Sequence, residues 1–367
     1  MSTPLPMSGI RVIEFTHAVM GPAAGLILAD MGADVIRIEP PPHGDHTRQL
    51  KGFGTGYYTF YNRNKKSLAV NLKSASGKEI VWSLLGTADA LIENFAPGTM
   101  TRLGFGYDKV AFKNPRLIYC SLKGFMEGPY VNRSALDEVV QMMAGLAYMT
   151  GPPGQPLRAG ASVVDITGGM FGVIAILGAL RERDRTGRGQ YVQNGLFETA
   201  AFIMGQHMTY SAISREVVPP MPARVSAWAV YRLFETADGQ QIFVGITSDK
   251  HWRAFCEEFN RSDLLADESL STNSARIRAR DRLHPELEAM LVAMPMAEII
   301  RKCDRAGIPF SPVARPEDLF DDPQLNQGNS LAETTLPDGR AAKLPKLPIA
   351  SGGRRFELNT SPPDIGE

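Results

Sequence analysis

The sequence predicts an α/β fold with a parallel sheet, followed by a smaller α+β lobe, on three observations. A strand–helix–strand unit opens the chain, short strand patterns then alternate with helical ones, and past residue 228 the rhythm changes to a hairpin followed by helices. A β-α-β crossover of this kind implies parallel strands with helices on the sheet faces.

The elements follow in order. "IRVIEF" (10–15) is a short strand pattern. "GPAAGLILADMG" (21–32) reads as a helix with Pro22 in its first turn, where the missing N–H costs least. "ADVIRIE" (33–39) is a second strand. "GFGTG" (52–56) reads as a flexible loop, and "NRNKK" (62–66) as a solvated face that could also meet a nucleotide phosphate. "SLAVNL", "DALIENF" and "NPRLIYCSL" are strand-like, and "SGKEIVWSLLGTA" is helical. Residues 137–148 form one helix pattern, 166–183 another; the second closes on "RERDRTGRG", with arginines suited to a helix C-terminus and glycines to stop it. "QYVQNGLFETA" restarts a strand-then-helix pattern to about residue 213.

A proline-rich break at 214–228 marks a boundary. Beyond it a hairpin turns at Asp238-Gly239, and helical segments run to about 306. The tail is strands and turns, too short to fold alone. The expected divisions are a large domain (1–213), a linker (214–228), a small α+β domain (229–315) and a C-terminal segment (316–367).

Composition excludes several classes. Equal numbers of acidic and basic residues give zero formal charge, which argues against nucleic acid or an anionic membrane as the main partner. The opening residues show no basic region followed by an apolar stretch, so no signal peptide is expected. The apolar run "MFGVIAILGAL" (170–180) is too short to span a bilayer and reads as a core helix. The three cysteines, Cys120, Cys256 and Cys303, are far apart and suggest neither disulfides nor zinc, which points to a cytoplasmic or otherwise reducing setting. The six histidines show no metal spacing. His43 and His46 read as solvated, whereas His17 closes the first strand, where α/β folds bind ligands.

Two sites call for chemistry. A dinucleotide fingerprint fails on spacing, because the glycines are Gly21 and Gly25 and the bulky Val19 and Met20 stand in the turn. Asp165, in "RAGASVVDITGG" (158–169), is a lone acid at the threshold of an apolar helix. As an aspartate before a helix it is a good N-cap, worth about 1 kcal/mol. A helix N-terminus also favours the carboxylate anion, and Gly168 and Gly169 leave room for another molecule to approach, as a nucleophile needs. Spacing alone favours the cap.

The longer motifs add a resemblance. "LPMSGIRVIEFTHAVMGPAAGLILADMGADVIRIEPP", "NRNKKSLAVNLK", "ADALIENFAPGTMTRLGFGYD", "NPRLIYCSLKGF" and "LRERDRTGRGQYV" occur in this order, with looser matches in "AGIPFSPV" and "DDPQLNQG". In these the chain resembles the class III CoA-transferases, the CaiB/BaiF family. The resemblance implies a Rossmann-like large domain and a ring-shaped chain interlocked with its homodimer partner, the C-terminal segment returning to the large domain. It implies Asp165 as nucleophile, passing through aspartyl anhydride and aspartyl-CoA thioester intermediates. CoA contacts would fall on His17, Ala18, Val19 and Met20, on Val70, Asn71, Leu72 and Lys73, and on Asn94, Phe95 and Arg102. Lys73 and Arg102 would suit phosphates, and Phe95 would pack on adenine. Coenzyme A and acyl-CoA are substrates in this reading, succinyl-CoA being the expected donor, and no prosthetic group or metal is expected.

The departures narrow the reaction. Val19 stands where formyl-CoA transferases carry glutamine and Pro40 where they carry arginine, and no glycine-rich lid occurs near 220–250, which argues against formate and oxalate. The racemases of this fold pair the aspartate with a histidine; here "SALDEVVQ" puts Leu136 in its place. A two-base racemase without its second base is disfavoured. A non-catalytic acyl-CoA-binding protein is the remaining alternative. Asp137 is counted with the CoA-site residues, either orienting Asp165 or capping its own helix. Arg158, Arg224 and Arg232 are candidates to read the second carboxylate of a dicarboxylic acid.

Overall fold

The computed structural model describes residues 4–224 and 226–367; Met1 to Thr3, where the stretch read for a signal begins, and Val225 in the expected linker lie outside the described residues. The chain divides into two compact units, one of residues 1–223 with 322–367 and one of 224–321.

The larger unit is built on a six-stranded parallel sheet. In chain order its elements are β1 (Arg11–Phe15), α1 (Met20–Asp30), β2 (Asp34–Glu39), α2 (Thr55–Tyr61), β3 (Lys66–Ala69), α3 (Ala75–Leu85), β4 (Ala90–Glu93), α4 (Thr99–Leu103), α5 (Tyr107–Lys113) and β5 (Ile118–Lys123). These are followed by α6 (Asp137–Met143), α7 (Leu146–Thr150), α8 (Val163–Thr186), β6 (Tyr191–Gly195), α9 (Leu196–Ile203) and α10 (Gly205–Ser214). The strand order is β3-β2-β1-β4-β5-β6, all parallel, with Val12 opposite both Val35 and Ala90. The order reverses between β1 and β4, and doubly wound sheets bind ligands at the carboxyl ends of strands at such a switch point. Continuous apolar runs suit strands covered on both faces, and β4 is buried at every residue.

Four local expectations change. The 52–56 stretch leads directly into a helix, α2, whose Tyr58, Thr59 and Tyr61 are buried. The pattern of 137–148 is broken by Gly145 (φ +84) into α6 and α7. The basic string 62–66 is largely buried rather than solvated: Asn62, Arg63 and Lys65 are 1–3% exposed. Arg63 pairs with Asp30 at 2.7 Å and Lys65 with Glu14 at 2.9 Å. Finally, α8 begins at Val163 and runs 24 residues, long and apolar enough by composition to cross a membrane. It serves as a core helix, with Val164, Val173, Ile176, Ala179 and Leu180 buried in the cluster that also holds α1 residues.

In the second unit, β7 (Val230–Glu235), β8 (Gln241–Ile246) and β9 (Phe310–Pro312) form an antiparallel sheet. Its helices are α11 (Asp249–Glu258), α12 (Ser262–Ala266), α13 (Asn273–Arg278), α14 (Arg280–Leu291) and α15 (Met296–Ala306), packed around Phe234, Val244, Trp252, Phe255 and Leu287. The tail carries α16 (Pro323–Gln327) and the antiparallel pair β10 (Leu331–Thr335) and β11 (Ala341–Pro345). It is tied into the larger unit by backbone bonds from Asn64 to Thr360 and from Ser67 to Glu367. All three cysteines are buried and free.

Candidate active site

The expected CoA residues gather at the switch point. His17 follows β1 and Asn94 follows β4, and they are joined twice: His17 N–H donates to Asn94 Oδ1 and Asn94 Nδ2 donates to the His17 carbonyl, both at 2.9 Å. This clamp holds the loop into α1, where Ala18 sits in the left-handed region (φ +60), a conformation that costs an L-residue on the order of 1 kcal/mol. The His17 ring stacks on Phe95 at 5.7 Å. Burial holds its pKa below the ordinary value against the nearby Asp45 charge, so at pH 7 it offers a neutral imidazole.

Phe95 and Val70 to Lys73 line a cavity of 670 Å³ together with Phe15, Ile38, Pro40, Pro41, Thr99 and Leu103. The shape is mostly apolar, with Lys73 as its cation. Arg102 lies on α4 between two lining residues and donates to Thr99 Oγ1 at 2.7 Å. Beneath the loop is a buried charge cluster. Arg37, fully buried, binds Glu14 at 2.9 Å, Asp45, and the Thr16 carbonyl at 3.0 Å. Gly25 is required here, since a Cβ would lie 1.8 Å from Glu14 Oε2. Gly25 therefore serves the packing of α1 over these charges, and Gly21 serves its packing on Thr16, whose side chain a Cβ would meet at 2.5 Å.

Asp165 forms a second centre. It lies inside the first turn of α8 and is not its N-cap, which is Ser162. Its carboxylate makes no hydrogen bond among the described residues, and it is half-buried. The helix N-terminus favours the anion. Burial opposes it first and the Asp137 charge second, with Arg158 pulling back, and the carboxyl is pushed up to about 7. Asp165 is thus poised between its two forms at neutrality, rather than held firmly ionised as the cap position alone suggests.

Asp137 does not cap its own helix. It sits at the first position of α6, and its Oδ2 accepts from Val164 N–H at 2.9 Å and Asp165 N–H at 3.0 Å. Its other oxygen accepts from Gln141 Nε2. Asp137 is therefore the cap of α8, supplied across space. Leu136, which precedes it, is largely exposed.

The two centres are joined through α1. Gly168 and Gly169 are buried under it: a Cβ on Gly168 would lie 2.7 Å from Met20 Cε, and one on Gly169 2.8 Å from the Met20 carbonyl. The glycine pair makes room for a helix and not for a ligand, which corrects the expectation. Val19 clusters with Ala23, Leu26 and Tyr61, and Ile166 packs against that cluster, so the apolar group that starts in the loop after β1 reaches the turn that carries Asp165. Tyr61 and Gln141 are site residues that sequence reasoning missed. Their signal was there, in the aromatic run "GYYTFY" after the glycines and in an amide one turn beyond Asp137. Arg232 lies in the other unit, engaged by Glu288 at 2.8 Å and His284 at 3.0 Å. Among the described residues no cluster of His, Cys, Asp or Glu could hold a metal ion.

Comparison with known proteins bears on this arrangement. The family model described as CoA-transferase family III matches residues 7–367. A succinate–glutarate CoA-transferase from Agrobacterium fabrum is 32% identical over 99% of this chain and 93% of its own length. An acetyl-CoA:oxalate CoA-transferase from Acetobacter aceti is 36% identical over 90% of this chain and 86% of its own. A crystal structure of a CaiB/BaiF family protein from Brucella suis superposes with a TM-score of 0.88 at 29% identity, covering 99% of this chain and 97% of that one.

Proposed function

Since the chain belongs to CoA-transferase family III and is an enzyme that transfers coenzyme A, we propose that Asp165 is its nucleophile and that CoA lies along the switch-point cavity. The single observation behind this reading is the free, half-buried Asp165 carboxylate, held by its Asp137-capped backbone beside the apolar cluster of the loop after β1.

The steps balance without a net proton. The Asp165 carboxylate attacks the acyl carbon of the donor thioester; the C–S bond breaks, and CoA thiolate leaves a mixed anhydride. The thiolate then attacks the aspartyl carbonyl and the donor acid leaves as carboxylate, giving an aspartyl-CoA thioester. An acceptor carboxylate attacks that carbonyl and expels the thiolate, which takes the acyl carbon of the second anhydride and frees Asp165. Each intermediate is activated, so water must be kept from it. The apolar packing of Val19, Tyr61 and Ile166 beside Asp165 supports that exclusion.

His17 to Met20, Val70 to Lys73, Asn94, Phe95 and Arg102 are the proposed CoA contacts, with Lys73 and Arg102 on phosphate and Phe95 on adenine. Asp137 is proposed to position Asp165. Succinyl-CoA is the proposed donor and a small dicarboxylic acid the acceptor, a class the name of the Agrobacterium relative also contains. The proposed setting is cytoplasmic, and the proposed assembly an interlocked homodimer. Supporting the dimer, Met170 and Ile174 on α8, Phe202 on α9, and Met208 and Ile213 on α10 are all exposed apolar side chains.

The test is mass spectrometry of peptides after incubation with a panel of acyl-CoAs, succinyl-CoA included, and a hydroxylamine quench. A hydroxamate on Asp165, absent from Asp165→Ala, is the expected result. An unmodified Asp165, with solvent deuterium entering the α-carbon of a branched acyl-CoA, overturns it in favour of isomerase chemistry.

A further inference from the structure

We propose that Arg158 determines acid specificity, its guanidinium binding the second carboxylate of a dicarboxylic substrate while the first reacts at Asp165. The inference rests on the transferase reading above, its dicarboxylic acceptor included, and adds to it the group that reads the second carboxylate.

Three observations carry it. The first is that Arg158 and Asp165 are held in one frame. The residue after Arg158 is pinned by its N–H to Gln141 Oε1 at 2.8 Å. The same Gln141 amide donates to Asp137, and Asp137 accepts from the Asp165 N–H. One buried amide and one buried carboxylate thus fix both residues, Gln141 being 0% and Asp137 7% exposed.

The second is that most of the guanidinium is uncommitted. Nε donates to the Ala159 carbonyl at 3.0 Å, and Nη1 lies at a loose 3.7 Å from Glu138, an exposed carboxylate. A guanidinium carries five N–H groups in a fork that matches a carboxylate with two parallel hydrogen bonds. A substrate carboxylate needs only to displace the distant Glu138. The third is charge: the site already holds two carboxyl groups, Asp165 and Asp137, and Arg158 is the cation that acts on Asp165. Without it, a dianionic acid would enter against like charges.

Arg232, in the other unit, is bound to Glu288 and His284.

The test compares two acceptors of equal length, glutarate and valerate, with a common donor. The ratio of their kcat/KM values cancels any effect of a substitution on donor loading or on the charge of Asp165. The native enzyme is expected to prefer glutarate. In Arg158→Gln the ratio is expected to fall roughly 10- to 100-fold, the span of one hydrogen-bonded charge contact. In Arg158→Lys, which keeps the charge but loses the fork, a smaller fall is expected. An unchanged ratio in both variants, with both acids slowed equally, overturns the proposal and leaves Arg158 acting only through Asp165. So does a native enzyme without preference for glutarate. If the native enzyme moves CoA from none of succinyl-, acetyl- or butyryl-CoA to either acid, the transferase reading itself fails, and this inference with it.

Discussion

On the proposed reading, Asp165 concentrates the chemistry into one titration. Burial and the Asp137 charge raise its pKa to about 7, while Arg158 opposes them. Only the anion attacks a thioester, so kcat/KM for the donor is expected to rise with pH through about 7, read from a pH–rate profile. Stability runs the other way. The folded pKa lies above the ordinary value of 3.8, so the stability this group contributes is complete below that pH and is lost as pH rises through about 7. Asp165→Asn is therefore expected to abolish transfer yet raise the unfolding free energy at pH 8 by up to about 4 kcal/mol, with no gain at pH 4, by urea titration. Asp137→Asn removes the like charge and keeps an acceptor oxygen for the α8 N–H groups. Its acid limb is expected to move to lower pH, while stability falls by about 1 kcal/mol from the weaker cap.

At the scale of elements, the contact between α1 and α8 governs both centres. It is close because Gly168 and Gly169 lie under Met20, Ala23 and Ala24. In an exposed helix, alanine for glycine stabilises by about 1 kcal/mol. Here a Cβ on Gly169 would stand 2.8 Å from the Met20 carbonyl and 3.1 Å from Ala24 N, both backbone atoms that cannot swing aside. Gly169→Ala is expected to reverse the sign, costing about 1–3 kcal/mol in chemical denaturation and weakening CoA binding in calorimetry. The coupling follows because Met20 belongs both to that contact and to the segment proposed to bind CoA.

At the scale of the whole molecule, the tail is part of the larger unit's core structure. Pro345 and Pro363 carbonyls accept from Arg63 and Arg48, which are themselves paired with Asp30 and Glu39 inside the unit. The exposed apolar residues on α8, α9 and α10, with Ile174 60% and Phe202 72% exposed, are those the proposed homodimer would bury. A charge introduced there, as in Ile174→Asp with Phe202→Asp, is expected to halve the mass by light scattering if the homodimer buries this face.

The order of strands and helices was legible in the sequence because it is local. Apolar periodicity, Pro22 in a first turn and Gly187 (φ +74) at the end of α8 act within a few residues. Asp165 and the segments proposed to bind CoA stood out only through the ordered family motifs, since spacing alone favoured a cap for Asp165. What only the tertiary structure decided was where charges and glycines find partners. The string 62–66 looks like a solvated face until Glu14 and Asp30, on distant elements, meet Lys65 and Arg63 in the interior. Asp137 looks like the start of its own helix until folding brings the α8 N-terminus to it. The helix α2 is short and rich in aromatics, poor helix formers alone, and stands because Tyr58 and Tyr61 are buried by neighbours. Burial is what turns a charge, a cap or a glycine into a site feature, and burial is set by contacts between segments far apart in the chain.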